Sequence, residues 1–254
     1  MKKLIAILAA AALLALTGCG ITADVPAPTV ETPPETTTLS PEEKIEKFMA
    51  NNLKRYAMSV SELPEDAREV PADWIDFTDS GISVKLPAEP EKTVEDGETS
   101  FVLDVDGSDV ELVFESAEAA EKRLEVLDML RDSRMEVYQA AFEKLGIPFD
   151  GTKASFYMAL LSITPDDVEK ADDYTQTILS EMGSELFWIN EAYIIERENA
   201  EVFVFHYSIS IMDDDTEYYE ACIFDSDGKQ RDVSVYCDDK DAALRIAATA
   251  DIAP

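Results

Sequence analysis

The sequence predicts an α+β fold, an antiparallel β-sheet of hairpins with helices packed on one or both faces, and an α/β/α sandwich is one arrangement that fits. Three observations carry this reading. Asp-Gly turn signals separate alternating apolar runs near both ends of the chain. The middle third spaces its apolar residues at helical intervals. Four strand-like runs in the last third bring their apolar residues to one face once the loops are assigned.

Residues 40–254 read as a single domain. Ser40-Pro41-Glu42-Glu43 is a capping box with proline at the first helical position, where no N–H is needed. Ile45, Phe48, Met49, Leu53, Tyr56 and Val60 then make one helical face, expected to dock on its own domain. Trp74, Ile75 and Phe77 lead through Asp79-Ser80-Gly81 into Ile82-Ser83-Val84-Lys85-Leu86-Pro87. Asp96-Gly97 marks a second turn and Asp106-Gly107 a third. A two-residue loop at Asp106-Gly107 pairs Val105 with Ser108, Leu103 with Val110 and Phe101 with Leu112, so the apolar residues share a face.

Residues 116–145 read as helical, capped by Ser116 and stopped by Gly146 and Pro148. Ala120, Leu124, Leu127, Leu130, Tyr138, Phe142 and Leu145 form the buried side, and Asp132-Ser133 could divide it in two. A short helix is expected around Ala154 to Leu161. Thr164-Pro165-Asp166-Asp167 opens another, with acids at its positive end, which runs to Met182-Gly183.

Four antiparallel strands follow, at 186–196, 201–212, 217–225 and 230–237. A four-residue loop at Arg197–Ala200 sets Glu191 opposite His206. A four-residue loop at Asp213–Thr216 sets Tyr207 opposite Cys222. A two-residue loop at Asp227-Gly228 sets Cys222 opposite Val233. One face then carries Trp188, Ala192, Ile194, Phe203, Phe205, Tyr207, Ile209, Ile211, Cys222, Phe224, Val233, Val235 and Cys237. The other face carries Phe187, Ile189, Tyr193, Val202, Val204 and Ile223, enough to need partial cover. Asp238 to Ala250 reads as a last short helix, capped by Asp238 or Asp239.

The first eighteen residues have a different character. Lys2 and Lys3 precede thirteen apolar residues, Leu4 to Leu16, too few to span a bilayer as a helix. The run ends in Leu16-Thr17-Gly18-Cys19, which resembles the lipobox of bacterial lipoproteins. That resemblance implies cleavage before Cys19, acylation of its sulfur, and attachment to the cell membrane on the extracytoplasmic side. Residues 19–39, rich in Thr, Pro and Glu, then form a disordered tether with a mean reach of roughly 25 Å. A second resemblance lies further on. Gly81 to Pro87, together with the closing helix 239–250, is similar to PsbP/Mog1-like domains. It implies a sandwich around an antiparallel sheet and roles in binding or assembly, and it supplies no site residues. Residues 116–183 are more helical than that family's pattern.

The formal net charge of −33 disfavours nucleic acid, whose phosphates would be repelled. Removal of residues 1–18 takes away two lysines and no acids, so the charge becomes −35. His206 is the sole histidine. Glu191 opposite could make it a general base, but no nucleophile motif lies beside it; a structural cross-strand pair is the expectation, with Glu191 raising the His206 pKa. Cys222 and Cys237 should share a face on the order of 13 Å apart, too far for a disulfide. The segments Asp104–Asp109 and Asp225–Gly228 look like fragments of calcium loops yet serve as hairpin turns. Asp213, Asp214, Asp215 and Glu217 are the candidate metal ligands.

No phosphate loop, zinc spacing or dinucleotide fingerprint occurs, and no cofactor is implied. The aromatic residues, Trp74 and Trp188 included, are assigned to core faces. The expected function is a membrane-anchored extracytoplasmic lipoprotein whose domain binds or assembles without catalysis, with an envelope protein as one class of partner. The alternatives are a cell-envelope hydrolase using paired carboxylates and a weakly calcium-responsive surface protein.

Overall fold

A computed structural model describes residues 56, 60–95, 97–122, 135–186, 188–211 and 214–254. The chain divides into two units, Met1–Pro41 and Glu42–Pro254, and every described residue belongs to the second. Cys19, the tether and the capping box at Ser40 lie outside the described residues. Of the helical face expected over 45–60, Tyr56 and Val60 are described. Tyr56 is helical and 2 % exposed, and its hydroxyl donates to the carbonyl of Leu179.

The fold is α+β, as the sequence predicts. Its strands are β1 (Ile75–Asp79), β2 (Ile82–Leu86), β3 (Glu91–Glu95), β4 (Glu98–Val105), β5 (Ser108–Glu115), β6 (Ile189–Glu196), β7 (Ala200–Ile211), β8 (Asp214–Asp225), β9 (Gln230–Cys237) and β10 (Asp251–Ile252). Its helices include α1 (Glu65–Arg68), α2 (Met135–Leu145), α3 (Lys153–Ser162), α4 (Pro165–Lys170), α5 (Asp173–Met182) and α6 (Lys240–Ala247). Residues 117–122 are also helical, with the Ser116 hydroxyl accepting from the Ala119 N–H at 3.3 Å. The proposed division at Asp132-Ser133 falls outside the described residues.

Seven strands form one antiparallel sheet in the order β3-β4-β5-β9-β8-β7-β6, and β1-β2-β10 form a smaller one. Each face of the large sheet has its own core. Helices α2 to α5 cover one face, where Phe142, Leu160, Leu179 and Met182 meet Ala192, Phe203, Phe205, Cys222 and Phe224. On the other face, α1, α6 and the small sheet bring Ala67, Ile82, Val84, Leu86, Leu244 and Ile246 against Val110, Leu112, Val202, Val204, Ile223, Val233 and Val235. The cover expected over Val202, Val204 and Ile223 is therefore a helix and a sheet together.

The first hairpins form as the turn chemistry dictates. Ser80 and Gly81 have φ of 53° and 79°, and Asp106 and Gly107 have 54° and 89°, so each pair makes a two-residue turn with both central residues left-handed. The register across the second is the expected one, with Phe101 opposite Leu112, Leu103 opposite Val110 and Val105 opposite Ser108.

Four expectations are corrected. The segment opened by Thr164 makes two helices, because the Asp172 carboxylate accepts from the Thr175 N–H at 2.8 Å and starts a new one after Lys170. Strand β8 starts at Asp214, so Tyr207 faces Tyr218 in place of Cys222. That shift is four residues, an even number, and each side chain keeps its face. The β8–β9 loop has three residues rather than two. Asp225 N–H donates to Lys229 O at 3.1 Å, and Gly228 closes the turn with φ of 76°. Cys222 then pairs with Asp232, not Val233. One residue of slip turns the whole strand over, so Val233, Val235 and Cys237 lie on the face of α6. The last correction is an irregularity between Ile189 and Glu191. It sends Ile189 into the helical core and leaves Trp188 37 % exposed instead of on a core face.

Candidate functional site

Two regions collect chemistry-bearing side chains on the α6 face of the large sheet. The first surrounds His206. It opposes Glu191 as expected and stacks on Tyr219, the ring centroids 4.7 Å apart and the planes 18° off parallel. The ring is buried, and neither nitrogen has a hydrogen-bond partner. Glu217 Oε2 lies 3.8 Å from Nε2, beyond hydrogen-bond reach, and is gripped by Lys240 at the start of α6. Glu191 instead accepts from the Tyr193 hydroxyl at 2.8 Å.

These contacts reverse the expected titration of the histidine. Burial depresses the His206 pKa below its ordinary value, the pull of Glu191 in the other direction is the smaller effect, and Lys240 adds to the depression. Desolvation also raises the Tyr219 phenol to about 12, with Glu191 adding to the rise. The geometry is that of a buried ring packed on Tyr219.

A stability consequence follows, with a definite sign. The unfolded histidine takes up its proton near pH ~6.5, and the folded one only at lower pH. The contribution is thus complete above about pH 6.5 and is lost as the pH falls toward the folded value. The carboxylates held low by partners, such as Asp172 beside Lys144, act only in a more acidic window. His206→Phe keeps a ring on Tyr219 and removes two buried nitrogens without partners, worth about 1 kcal/mol at neutral pH. Urea unfolding should show the variant more stable at pH 7 and without the wild-type decline between pH 6.5 and 5. An unchanged decline would show that His206 does not produce it.

The second region is a cavity of about 400 Å³ where α1, the β1–β2 hairpin, the end of β6 and the segment after α6 meet. Its wall carries Arg68, Lys85 and Arg197 with Asp76 and Asp251. Three cations against two carboxylates invert the balance of a chain with 21 basic and 54 acidic residues. Arg197 is set by the fold, since its Nε donates to Ala250 O at 3.2 Å and its Nη2 to Ala248 O, carbonyls just beyond α6. Burial lowers its pKa, and Asp251 partly offsets this. Lys85 Nζ lies 2.7 Å from Asp76, and Thr249 Oγ1 accepts from the Lys85 N–H at 2.8 Å. Such a wall suits a small ligand bearing an anionic group beside a donor. No histidine or cysteine is among the lining residues.

Comparison with known proteins yields no likeness. No family model, curated protein or solved structure matches the chain. The site is therefore read from its own residues.

The remaining sequence candidates are placed as follows. The Asp104 carboxylate accepts from the Gly107 N–H at 3.0 Å, and Asp225 accepts from the N–H groups of Asp227 and Lys229 at 3.0 and 2.9 Å. Both segments act as turns. Partial burial pushes the Asp225 carboxyl up, but Arg231 at 2.8 Å and the two N–H groups hold it below the usual range. Of the metal candidates, Asp213 lies outside the described residues. Asp214 and Asp215 continue strand β8 where a loop was expected. Glu217 is engaged by Lys240, which holds its pKa down.

Neither Cys222 nor Cys237 is in a disulfide. Separation along one face is not the reason: they belong to cores on opposite faces of the sheet. Sequence reasoning missed the cavity altogether, because Arg197 lies more than a hundred residues along the chain from Arg68 and Lys85.

Proposed function

We propose that this chain is a lipoprotein anchored on the extracytoplasmic side of the cell membrane, whose α+β domain binds a partner or small ligand without catalysis. One observation carries the reading: Leu16-Thr17-Gly18-Cys19 follows a short apolar run behind two lysines. The residues around Thr, Pro and Glu at 19–39 then space the domain from the bilayer. The cavity bearing Arg68, Lys85 and Arg197 supports a binding role, since it is concave, is of ligand size and offers cations in an otherwise acidic chain.

Intact-mass measurement on protein extracted from its native membranes tests this directly. The expected mass is that of residues 19–254 plus two or three acyl chains, with the added mass confined to the peptide that begins at Cys19. A mature chain with no acyl mass there would overturn the proposal.

A further inference from the structure

The one-residue correction of the β8–β9 register brings together three side chains that the sequence separates. Glu220 and Cys222 lie two apart on β8 and share a face. Asp232 on β9 is the direct cross-strand partner of Cys222. A carboxylate oxygen of each acid and the Cys222 sulfur all lie within 4.8 Å of one another. Cys222 and Asp232 are each only 3 % exposed, while Glu220 is half-buried at the edge of the group.

We propose that Glu220, Cys222 and Asp232 form a binding site for a borderline-soft divalent cation, with zinc as the best fit. The donor set carries the choice of metal. Calcium and magnesium take oxygen ligands, whereas a thiolate with carboxylates suits zinc. Zinc bonds of about 2.3 Å to sulfur and about 2.0–2.2 Å to oxygen require the three atoms to draw together by roughly 1 Å. Three protein ligands would leave a fourth tetrahedral position for water or another ligand.

This group differs from the acidic turns on the surface. It pairs a thiol with two acids, and two of its three donors are buried. Gln230 Nε2 donates to both Asp232 oxygens, at 2.9 and 3.0 Å, and so fixes the carboxylate plane as an outer-shell partner does in metal sites. On binding, the Cys222 thiol gives its proton to solvent and its sulfur forms the coordinate bond; no redox change is involved.

The test uses the purified full chain, stripped of metal and titrated with cobalt(II) as a spectroscopic stand-in for zinc. A thiolate-to-cobalt charge-transfer band should appear, saturate at a single ion per chain and vanish when zinc is added. The band should persist in Cys19→Ser and Cys237→Ser and be lost in Cys222→Ser, with circular dichroism showing that each variant is folded. Asp232→Asn should weaken binding at least ~10-fold. No band in the wild-type chain overturns the proposal, as does a band that survives in Cys222→Ser. The measurement reads the β8–β9 site alone, so its result is independent of the lipid anchor.

Discussion

Cys19→Ala, exported behind an ordinary secretion signal, should move the protein from the membrane fraction to the soluble fraction almost completely. Each buried methylene of an acyl chain contributes about 0.8 kcal/mol, and a single chain of fourteen carbons holds a protein only weakly, with an association constant of about 10⁴ M⁻¹. On the proposed reading two or three chains make attachment durable, and alanine would remove them all. Little else would replace them. With a charge of −35 once the leader is removed, the chain is repelled by anionic headgroups rather than drawn to them. Among the described residues no helix is long and apolar enough to cross a membrane. Fractionation with quantitative immunodetection checks the outcome, and wild-type levels of membrane retention in the variant would rule the anchor out. The wild-type leader is replaced in this design because an uncleaved apolar segment could itself hold the variant at the membrane.

Phe205→Ala should cause a large loss of stability. Phe205 has no exposed surface and sits between Phe203, Tyr157 and Tyr207, with ring centroids 6.2, 5.5 and 6.2 Å away. It lies where the helical layer meets the large sheet, so the site cannot collapse without moving a strand. Truncation to alanine should cost about 3–5 kcal/mol, the sum of lost transfer energy and the cavity left behind. Native domains hold only about 5–15 kcal/mol in reserve. At roughly 2–4 °C per kcal/mol for a domain of this size, the melting temperature should fall by about 10 °C. Urea unfolding should show a lower midpoint with an unchanged slope. Val94→Ala provides the contrast: Val94 is 66 % exposed on the edge strand β3, and its loss should stay within about 0.5 kcal/mol. Equal effects at the two positions would mean that the aromatic layer does not hold the sheet and helices together.

Local chemistry was readable wherever it acts over a few residues. The left-handed pairs Ser80-Gly81 and Asp106-Gly107 set their hairpins and registers because both central residues tolerate positive φ. The capping box of Thr164 and Asp167 started a helix where expected. The break at Asp172 was missed because its cap looks like any other acidic position until the chain turns there. The β8–β9 loop shows the cost of a small error. Asp227-Gly228 satisfies a two-residue turn on paper, but the Asp225 carboxylate binds the Asp227 and Lys229 N–H groups and favours three residues. That single residue moved Val233 and Val235 to the other core and hid the approach of Asp232 to Cys222.

By itself, then, the sequence determined the α+β class, the β4–β5 and β6–β7 pairings, and the burial of Phe203, Phe205, Val202 and Val204, since these rest on periodicity and on contacts between near neighbours. Its leader also encodes the proposed address, because a signal segment is read as a linear string. Only the tertiary structure decided which face β9 presents, what stands beside His206, and how Arg68, Lys85 and Arg197 come to share one cavity. The physical reason is the range of the forces involved. Turn and capping energies are set by adjacent residues, whereas desolvation and charge grouping depend on segments that meet only when two cores close on opposite faces of one sheet.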